Sequence, residues 1–288
     1  MDGDRDLLGL DGLAPEVLLA LLARAQAMAR GWAARRMPQA LAGRFVALVV
    51  DDGGWRNTTA FELGITAMGG QCVRAPATLG GREAVGDLAA YLDNWVDGVV
   101  IRSPDLAAIT ALAAAARAPV INARTRANHP CETLGDLAYL FARHGGFRPF
   151  KVAVVAPAAN ILGSWIEAAA VLPVEVVQVF PRAWHADSNV ARFRAVTDMG
   201  EVVDADVVVT DCWPANGAAE ALLPYQVGVA ALDAMRPDAS FLPCPPVTRG
   251  QEVSQAAMVH PRCDVVAAKA FLLHAQNALL VWSIGGGT

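Results

Sequence analysis

Short apolar runs alternate along the chain with longer segments whose apolar residues recur at helical spacing. The run 45–50 is continuously apolar, which is typical of a strand buried on both faces of a parallel sheet. The pattern predicts strands at 45–50, 71–74, 98–102 and 119–123, then at 152–156, 174–180, 207–210, 241–244 and 263–267. It predicts helices at 15–35, 58–69, 83–95, 105–117 and 129–144, then at 161–170, 226–235 and 269–282.

The alternation is interrupted by Gly-Gly-Phe-Arg-Pro at 145–149 and then starts again. Repeated strand–helix units are typical of a parallel sheet covered by helices on both faces. The sequence therefore predicts an α/β protein with two doubly wound domains, 1–145 and 146–267, followed by a terminal helical segment, 268–288.

The turn after the first strand is the strongest local signal for a ligand site. Gly53 and Gly54 permit a tight turn, and Asn57 or Thr58 is the expected cap of the next helix. A helix N-terminus after a glycine turn attracts anions, and Arg56 adds a planar cationic donor group. An ordinary turn with a solvated arginine is the alternative.

Other polar residues also follow predicted strands. In open α/β sheets ligands bind outside the carboxyl ends of the strands, so a cleft between the two domains is the predicted site. The residues at these ends are Arg56, Arg102, His129, Asn160, Asp211 and Cys244.

Each of these side chains has a plain structural alternative. Arg102 either binds an anion or forms a salt bridge. His129 either donates a hydrogen bond to a substrate carbonyl or simply caps a helix. Asp211 either holds an amine or caps a turn, and Cys244, in an apolar strand, is either close to the chemistry or inert packing.

Composition excludes several classes of function. The chain is 55% hydrophobic and 18% charged, with a net charge of −5 and no basic cluster, which argues against a nucleic-acid partner. Its five cysteines form no CxxC pair, which indicates a reducing compartment and argues against structural zinc. The acidic N-terminus is unlike a signal peptide, and the apolar stretches are interrupted, so we expect a cytoplasmic protein with no membrane span.

Taken in order, the motifs resemble the aspartate/ornithine carbamoyltransferase family nearly end to end. Gly54-Trp-Arg-Asn-Thr-Thr-Ala-Phe-Glu62 resembles S-T-R-T-R-x-S-F-E, and His129-Pro-Cys-Glu-Thr-Leu-Gly-Asp136 resembles H-P-x-Q-x-L-x-D. The segment 160–168 resembles N-N-V-x-N-S-x-I-x-A, and 210–217 resembles T-D-x-W-x-S-M-G. The segment 241–253 resembles F-M-H-C-L-P-x-H-R-G-E-E-V, as in ornithine enzymes.

The resemblance implies transfer of a carbamoyl group from carbamoyl phosphate to an amino-acid amine, without a metal or organic cofactor. It implies a homotrimer with an active site between the domains, and a C-terminal helix that packs back on the first domain. By position, the donor-binding residues are Arg56, Asn57, Thr58 and Glu132, and the carbamoyl oxygen is polarised by Arg102 and His129. The acceptor-binding residues are Asn160, Asp211 and Asn216, and Cys244 with Asp211 orients the attacking amine.

The departures from the family pattern concentrate on the donor side. Gly54 and Trp55 stand where the family has phosphate-binding hydroxyls, and Leu272 stands where it has a late arginine. Glu132 replaces a glutamine, and a carboxylate cannot donate a hydrogen bond unless it is protonated. These changes predict a remodelled donor site.

Three functions fit this combination. The first is a carbamoyltransferase acting on ornithine or a related amine, with a remodelled donor site. The second is a catalytically degenerate family member that serves as a binding or partner subunit. The third is a transferase in specialised biosynthesis that uses a different donor, with Trp55 stacking on a non-phosphate group.

Overall fold

The computed structural model describes residues 5–50, 54–75, 79 and 81–285, and the chain divides into two compact units. Unit 1 comprises Met1–Phe147 and Lys269–Thr288, and unit 2 comprises Arg148–Ala268. Each unit contains one parallel sheet with helices between its strands. The predicted α/β class with two parallel-sheet domains is confirmed.

The sheet of unit 1 has the strand order β2-β1-β3-β4, and every neighbouring pair is parallel. Its strands are β1 (Phe45–Val49), β2 (Gln71–Arg74), β3 (Gly98–Arg102) and β4 (Val120–Arg124). The apolar run of β1 is buried after its first residue, and β3 is buried throughout. Burial on both faces explains why these strands read as continuous apolar runs.

The helices of unit 1 begin and end close to the predicted positions. They are α1 (Pro15–Ala33), α2 (Trp55–Ala67), α3 (Val85–Trp95), α4 (Leu106–Ala115) and α5 (Pro130–His144). Pro15 is the first residue of α1, as predicted, because its missing N–H is not needed there. Gly145 ends α5 in the left-handed conformation, with φ of 70°.

The sheet of unit 2 has the order β7-β6-β5-β8-β9, again with parallel neighbours. Its strands are β5 (Phe150–Val155), β6 (Val174–Val179), β7 (Phe193–Val196), β8 (Val207–Thr210) and β9 (Ser240–Pro243). The sequence analysis missed β7, a four-residue edge strand that is only partly buried. An edge strand of this kind lacks the continuous apolar run that revealed the others. The helices are α6 (Asn160–Val171), α7 (Ala219–Leu222) and α8 (Val229–Ala234).

The last helix, α9 (Val265–Ser283), corrects one prediction. The expected strand at 263–267 is wrong, because Cys263 makes only an isolated bridge with Phe241 and the helix begins two residues later. From Lys269 onward α9 packs within unit 1, which confirms the predicted return of the C-terminal helix. Among the described residues, α9 has the length and apolar composition of a membrane span, and half of its most apolar window is buried within the structure.

Candidate functional site

Helix α2 begins three residues earlier than predicted, directly after the glycine turn. Gly54 occupies the N-cap position with φ of 76° and ψ of 41°, and α2 begins at Trp55. The backbone N–H groups of Asn57 and Thr58 donate to the carbonyl of Gly54, so the prediction that one of these residues caps the helix is wrong. Gly53 lies outside the described residues.

Arg102 lies against this turn. It is the last residue of β3 and is buried, with 8% of its surface exposed. A Cβ atom added to Gly54 would overlap the Arg102 guanidinium, so a serine at this position would displace the arginine. The Arg102 guanidinium can therefore take its buried position only because residue 54 is a glycine.

The predicted donor-side residues leave the sheet of unit 1 at one edge. Strands β1, β3 and β4 are neighbours, and their carboxyl ends lead to Arg56, Arg102 and His129. The register also pairs Arg102 with Arg124, so two guanidinium groups leave adjacent strands side by side. This edge is cationic, as an anion site requires.

His129 occupies the N-cap position of α5, but its side chain makes no capping hydrogen bond. Its ring is buried, and its Nε2 atom lies 3.9 Å from Oε2 of Glu132. Burial is the main cause that lowers the pKa of His129 to about 4; the positive charges of Arg102 and Arg124 act in the same direction, and Glu132 opposes them. The imidazole is therefore neutral at pH 7 and retains one N–H donor.

Glu132 forms an ion pair that sequence reasoning missed. Nζ of Lys269 lies 2.8 Å from Oε1 of Glu132 and 2.6 Å from Oδ1 of Asp136. Burial raises the pKa of Asp136 to about 6. Burial acts to raise the pKa of Glu132, but Lys269, together with neighbouring groups that include Arg56, lowers that pKa overall. One feature of the sequence could have drawn attention to Lys269: it is one of only two lysines among the 23 basic residues of the chain.

A pocket of about 360 Å³ lies beside this ion pair, within unit 1. Arg56 stands over the ring of Trp55, with its guanidinium carbon 5.0 Å from the ring centroid, and Trp55 is 66% exposed. Both residues line the pocket with Glu132, Lys269 and Leu272. The pocket thus combines an aromatic wall with charged groups.

Asn57 and Thr58, two predicted donor-binding residues, are buried in the first turns of α2. The amide oxygen of Asn57 accepts a hydrogen bond of 3.0 Å from Nε2 of Gln276. This bond connects α2 to α9, so the Asn57 side chain has a structural contact in addition to its predicted role.

In unit 2 the predicted acceptor-side residues also share one sheet edge. Strands β5, β8 and β9 are neighbours, and Asn160, Asp211 and Cys244 follow their carboxyl ends. The backbone N–H of Cys244 donates to the carbonyl of Thr210 at 2.9 Å, which holds the ends of β8 and β9 together. Asn160 and Cys244 are buried, with 9% and 7% of their surfaces exposed.

Two contacts in unit 2 bear on the structural alternatives. Oδ1 of Asp211 accepts a 2.8 Å hydrogen bond from the backbone N–H of Cys212, which is the local turn contact considered above. Sγ of Cys244 lies 3.8 Å from the carbonyl oxygen of Pro245. Asn216 is exposed in the loop after β8. The roles of these residues, and a cleft between the domains, stay predictions.

No group of three or more His, Cys, Asp or Glu side chains able to hold a metal ion occurs among the described residues. The side chains at the strand ends of unit 1 offer hydrogen-bond donors and positive charge from arginine, lysine and a neutral histidine.

Two domain families match the chain. The pattern of the aspartate/ornithine carbamoyltransferase carbamoyl-P binding domain matches residues 5–141, and that of the Asp/Orn binding domain matches residues 149–283. An ornithine carbamoyltransferase of Rhizorhabdus wittichii is 34% identical over 263 residues, covering 85% of each chain. One of Nitrobacter winogradskyi is 32% identical over 265 residues, covering 86% of each.

Solved structures agree with these matches. Ornithine carbamoyltransferase from Pyrococcus furiosus has a TM-score of 0.92 at 28% identity, covering 99% of this chain and 98% of its own. The enzyme from Thermus thermophilus has a TM-score of 0.89 at 29% identity, covering 97% and 99%. The predictions of the family and of a carbamoyltransferase enzyme are confirmed. The two family patterns together match residues 5–141 and 149–283, which is most of the chain, and the chain belongs to the aspartate/ornithine carbamoyltransferase family.

Proposed function

We propose that this protein transfers the carbamoyl group of carbamoyl phosphate to the amine of ornithine or a related amino acid, through a donor site remodelled around Gly54 and Glu132. The observation that carries the proposal is the cationic edge of unit 1, where Arg56, Arg102 and His129 follow three adjacent strands. Preorganised cations and N–H donors stabilise a developing oxyanion and a leaving phosphate.

The altered residues are compatible with this chemistry. Gly54 leaves room for the Arg102 guanidinium at the start of α2, and the charge of Glu132 is paired with Lys269. The relatives named ornithine carbamoyltransferase support the acceptor class, as do Asn160, Asp211 and Cys244 at one edge of unit 2. The homotrimer and the cytoplasmic location are part of the proposal.

The test is turnover of carbamoyl phosphate with a panel of amines that includes ornithine, measured as formation of the carbamoylated amine. We expect Arg102→Ala to lower kcat/KM by about a hundredfold or more, since removing one oxyanion donor has an effect of this size. Arg117→Ala is the matched control, because its side chain is 81% exposed and it precedes β4, at the opposite edge of the same sheet. Its activity should equal that of the wild type.

A folded protein that carbamoylates no amine in the panel would overturn the proposal and favour the degenerate binding subunit.

The second candidate is transfer from a different donor in specialised biosynthesis. It is favoured by the exposed Trp55, the stacked Arg56 and the adjoining pocket of about 360 Å³. A donor that lacks phosphate and carries an aromatic group would support this candidate if it were consumed faster than carbamoyl phosphate and if Trp55→Ala removed that preference.

A further inference from the structure

Two buried carboxylates share one ammonium in unit 1. Glu132 and Asp136 lie one turn apart on α5, with 8% and 2% of their surfaces exposed. Lys269 contacts both, at 2.8 and 2.6 Å, and only 12% of its side chain is exposed. Like charges at this helical spacing repel each other, and a buried charge without a counterion is strongly unfavourable.

The surroundings of Glu132, Asp136 and Lys269, here called the trio, determine which of its two carboxyl groups is protonated. Lys269 lowers the pKa of Glu132, whereas burial raises the pKa of Asp136 to about 6. The trio therefore has a net charge near zero below pH 6 and near −1 above it. Without Lys269, ionisation of both carboxylates would place two uncompensated negative charges beside the cationic edge.

The remaining charged and titratable groups near Glu132 come from several elements. Arg56 belongs to α2, Arg102 ends β3, and Arg124 ends β4. His129 is neutral, and burial raises the pKa of the Cys131 thiol. On α9, His274 lines the same pocket, and burial lowers its pKa. Lys269 is thus the cation in direct contact with Glu132, while Arg56 acts on Glu132 from α2 and the two other arginines end β3 and β4.

We propose that Lys269 is a positioning residue of the donor site. Its ammonium cancels the charge of Glu132 and fixes that carboxylate next to His129, which leaves the positive charge of the arginines available to a phosphorylated donor. Leu272 lines the same pocket one turn further along α9 and has no charge to offer. This inference rests on the proposed function and adds to it a residue 137 positions away from Glu132.

The test is a double-mutant cycle with Lys269→Met and Glu132→Gln, which remove each charge and keep the length of each side chain. Affinity for carbamoyl phosphate, and for inorganic phosphate as a second probe, is measured by calorimetry at pH 8 and pH 6. The donor KM and kcat are measured in parallel. Lys151→Met is the matched control, because Lys151 is the only other lysine and pairs with Glu201 in unit 2.

We expect Lys269→Met to weaken donor binding about tenfold at pH 8, with a rise in KM larger than the fall in kcat. The loss should be smaller at pH 6, because protonation of the carboxylates removes the repulsion. Adding Glu132→Gln should restore binding to within about threefold of Glu132→Gln alone, since paired residues behave non-additively. Lys151→Met should bind as the wild type does.

Additive effects in the cycle would overturn the inference even if the wild type is active, and so would a Lys269→Met protein with unchanged binding. A wild type that binds no carbamoyl phosphate would overturn the proposed function and this inference with it. If Lys269→Met does not fold, phosphate binding by the Glu132→Gln single variant tests the inference. It leaves Lys269 paired with Asp136, so phosphate binding should equal or exceed that of the wild type, and weakening of more than about threefold would overturn the inference.

Discussion

Single side chains at the carboxyl ends of the unit 1 strands shape the proposed donor site. The buried guanidinium of Arg102 occupies the space that a side chain at position 54 would need, and Gly54 has no side chain. A histidine kept neutral by burial lies next to a carboxylate paired with a lysine. Each feature has a consequence that a substitution can measure.

Gly54→Ala should displace the Arg102 guanidinium from its present position. The new methyl group would overlap it, so we expect donor affinity to fall about tenfold or more, together with a loss of stability of about 1 kcal/mol or more from the left-handed backbone. Calorimetry and urea unfolding measure the two effects. Gly43→Ala is the matched control, because Gly43 has φ of 75° and no atom within 4 Å of an added Cβ. Equal loss of donor affinity in both variants would contradict the prediction.

His129 should make stability depend on pH in a defined direction. Its pKa is about 4 in the folded protein against an ordinary value of 6.5, so its contribution is complete above pH 6.5 and is lost as the pH falls toward 4. The total loss is about 3 kcal/mol, at about 1.4 kcal/mol per pH unit.

The measurement is urea unfolding of the wild type and His129→Asn between pH 7 and pH 4. The difference in unfolding free energy between the two proteins should shrink across this range. Asp136 contributes a pH dependence of the opposite sign, because its raised pKa favours the folded protein as the pH falls below 6. Both proteins contain Asp136, so subtracting one curve from the other isolates the contribution of His129. Two curves that stay parallel would contradict the assignment.

Helix packing in unit 1 brings α9 against the residues that begin the donor site. Gln276 of α9 donates to Asn57 of α2, and Gly64 of α2 lies directly against Asn277 of α9. Gly135 of α5 lies 3.1 Å, measured from an added Cβ, from the Cα of Leu272. Small residues at these crossings allow the three helices to approach closely, which brings Lys269 within reach of Glu132.

Gly64→Ala should therefore destabilise the protein although alanine is the better helix former. The added methyl group would overlap the side-chain oxygen of Asn277, and overpacking of this kind costs about 1–3 kcal/mol. Gly86→Ala on α3 is the control, since no atom lies within 4 Å of its added Cβ and alanine gains up to about 1 kcal/mol in a helix. Urea unfolding of both variants decides, and a stabilised Gly64→Ala protein would show that α9 does not pack here.

The order of the units along the chain makes unit 1 discontinuous. Its first segment ends at Phe147 and its last begins at Lys269, with unit 2 between them. Unit 1 therefore depends on a helix that follows unit 2 in the sequence. That helix supplies both buried apolar surface and, among the described residues, the only cation that forms an ion pair with Asp136.

A chain truncated after residue 268 should lose the structure of unit 1 and keep that of unit 2. The truncation leaves Asp136 buried without its ammonium and exposes the apolar surface that α9 covers. Hydrogen exchange followed by mass spectrometry measures this directly, with the full chain as control. Protection should disappear in β3 (Gly98–Arg102) and persist in β5 (Phe150–Val155). Undiminished protection in β3 would show that α9 is dispensable.

The sequence by itself determined the features that depend on local periodicity and on residue type. Continuous apolar runs such as 45–50 indicated buried parallel strands, and the ordered motifs indicated the family, because both signals lie within a few consecutive residues. The sequence did not predict the short edge strand β7 or the start of α9, since neither has a distinctive local pattern.

Only the tertiary structure decided how the donor side is built. Lys269 meets Asp136 across 133 positions of sequence, and the guanidinium of Arg102 fills the space that Gly54 leaves empty. A local pattern contains no information about such contacts, because they arise when the sheet of unit 1 aligns its strand ends and α9 returns to it. The motifs placed the negative charge of Glu132 in the predicted donor site, and the fold supplied the ammonium that balances it.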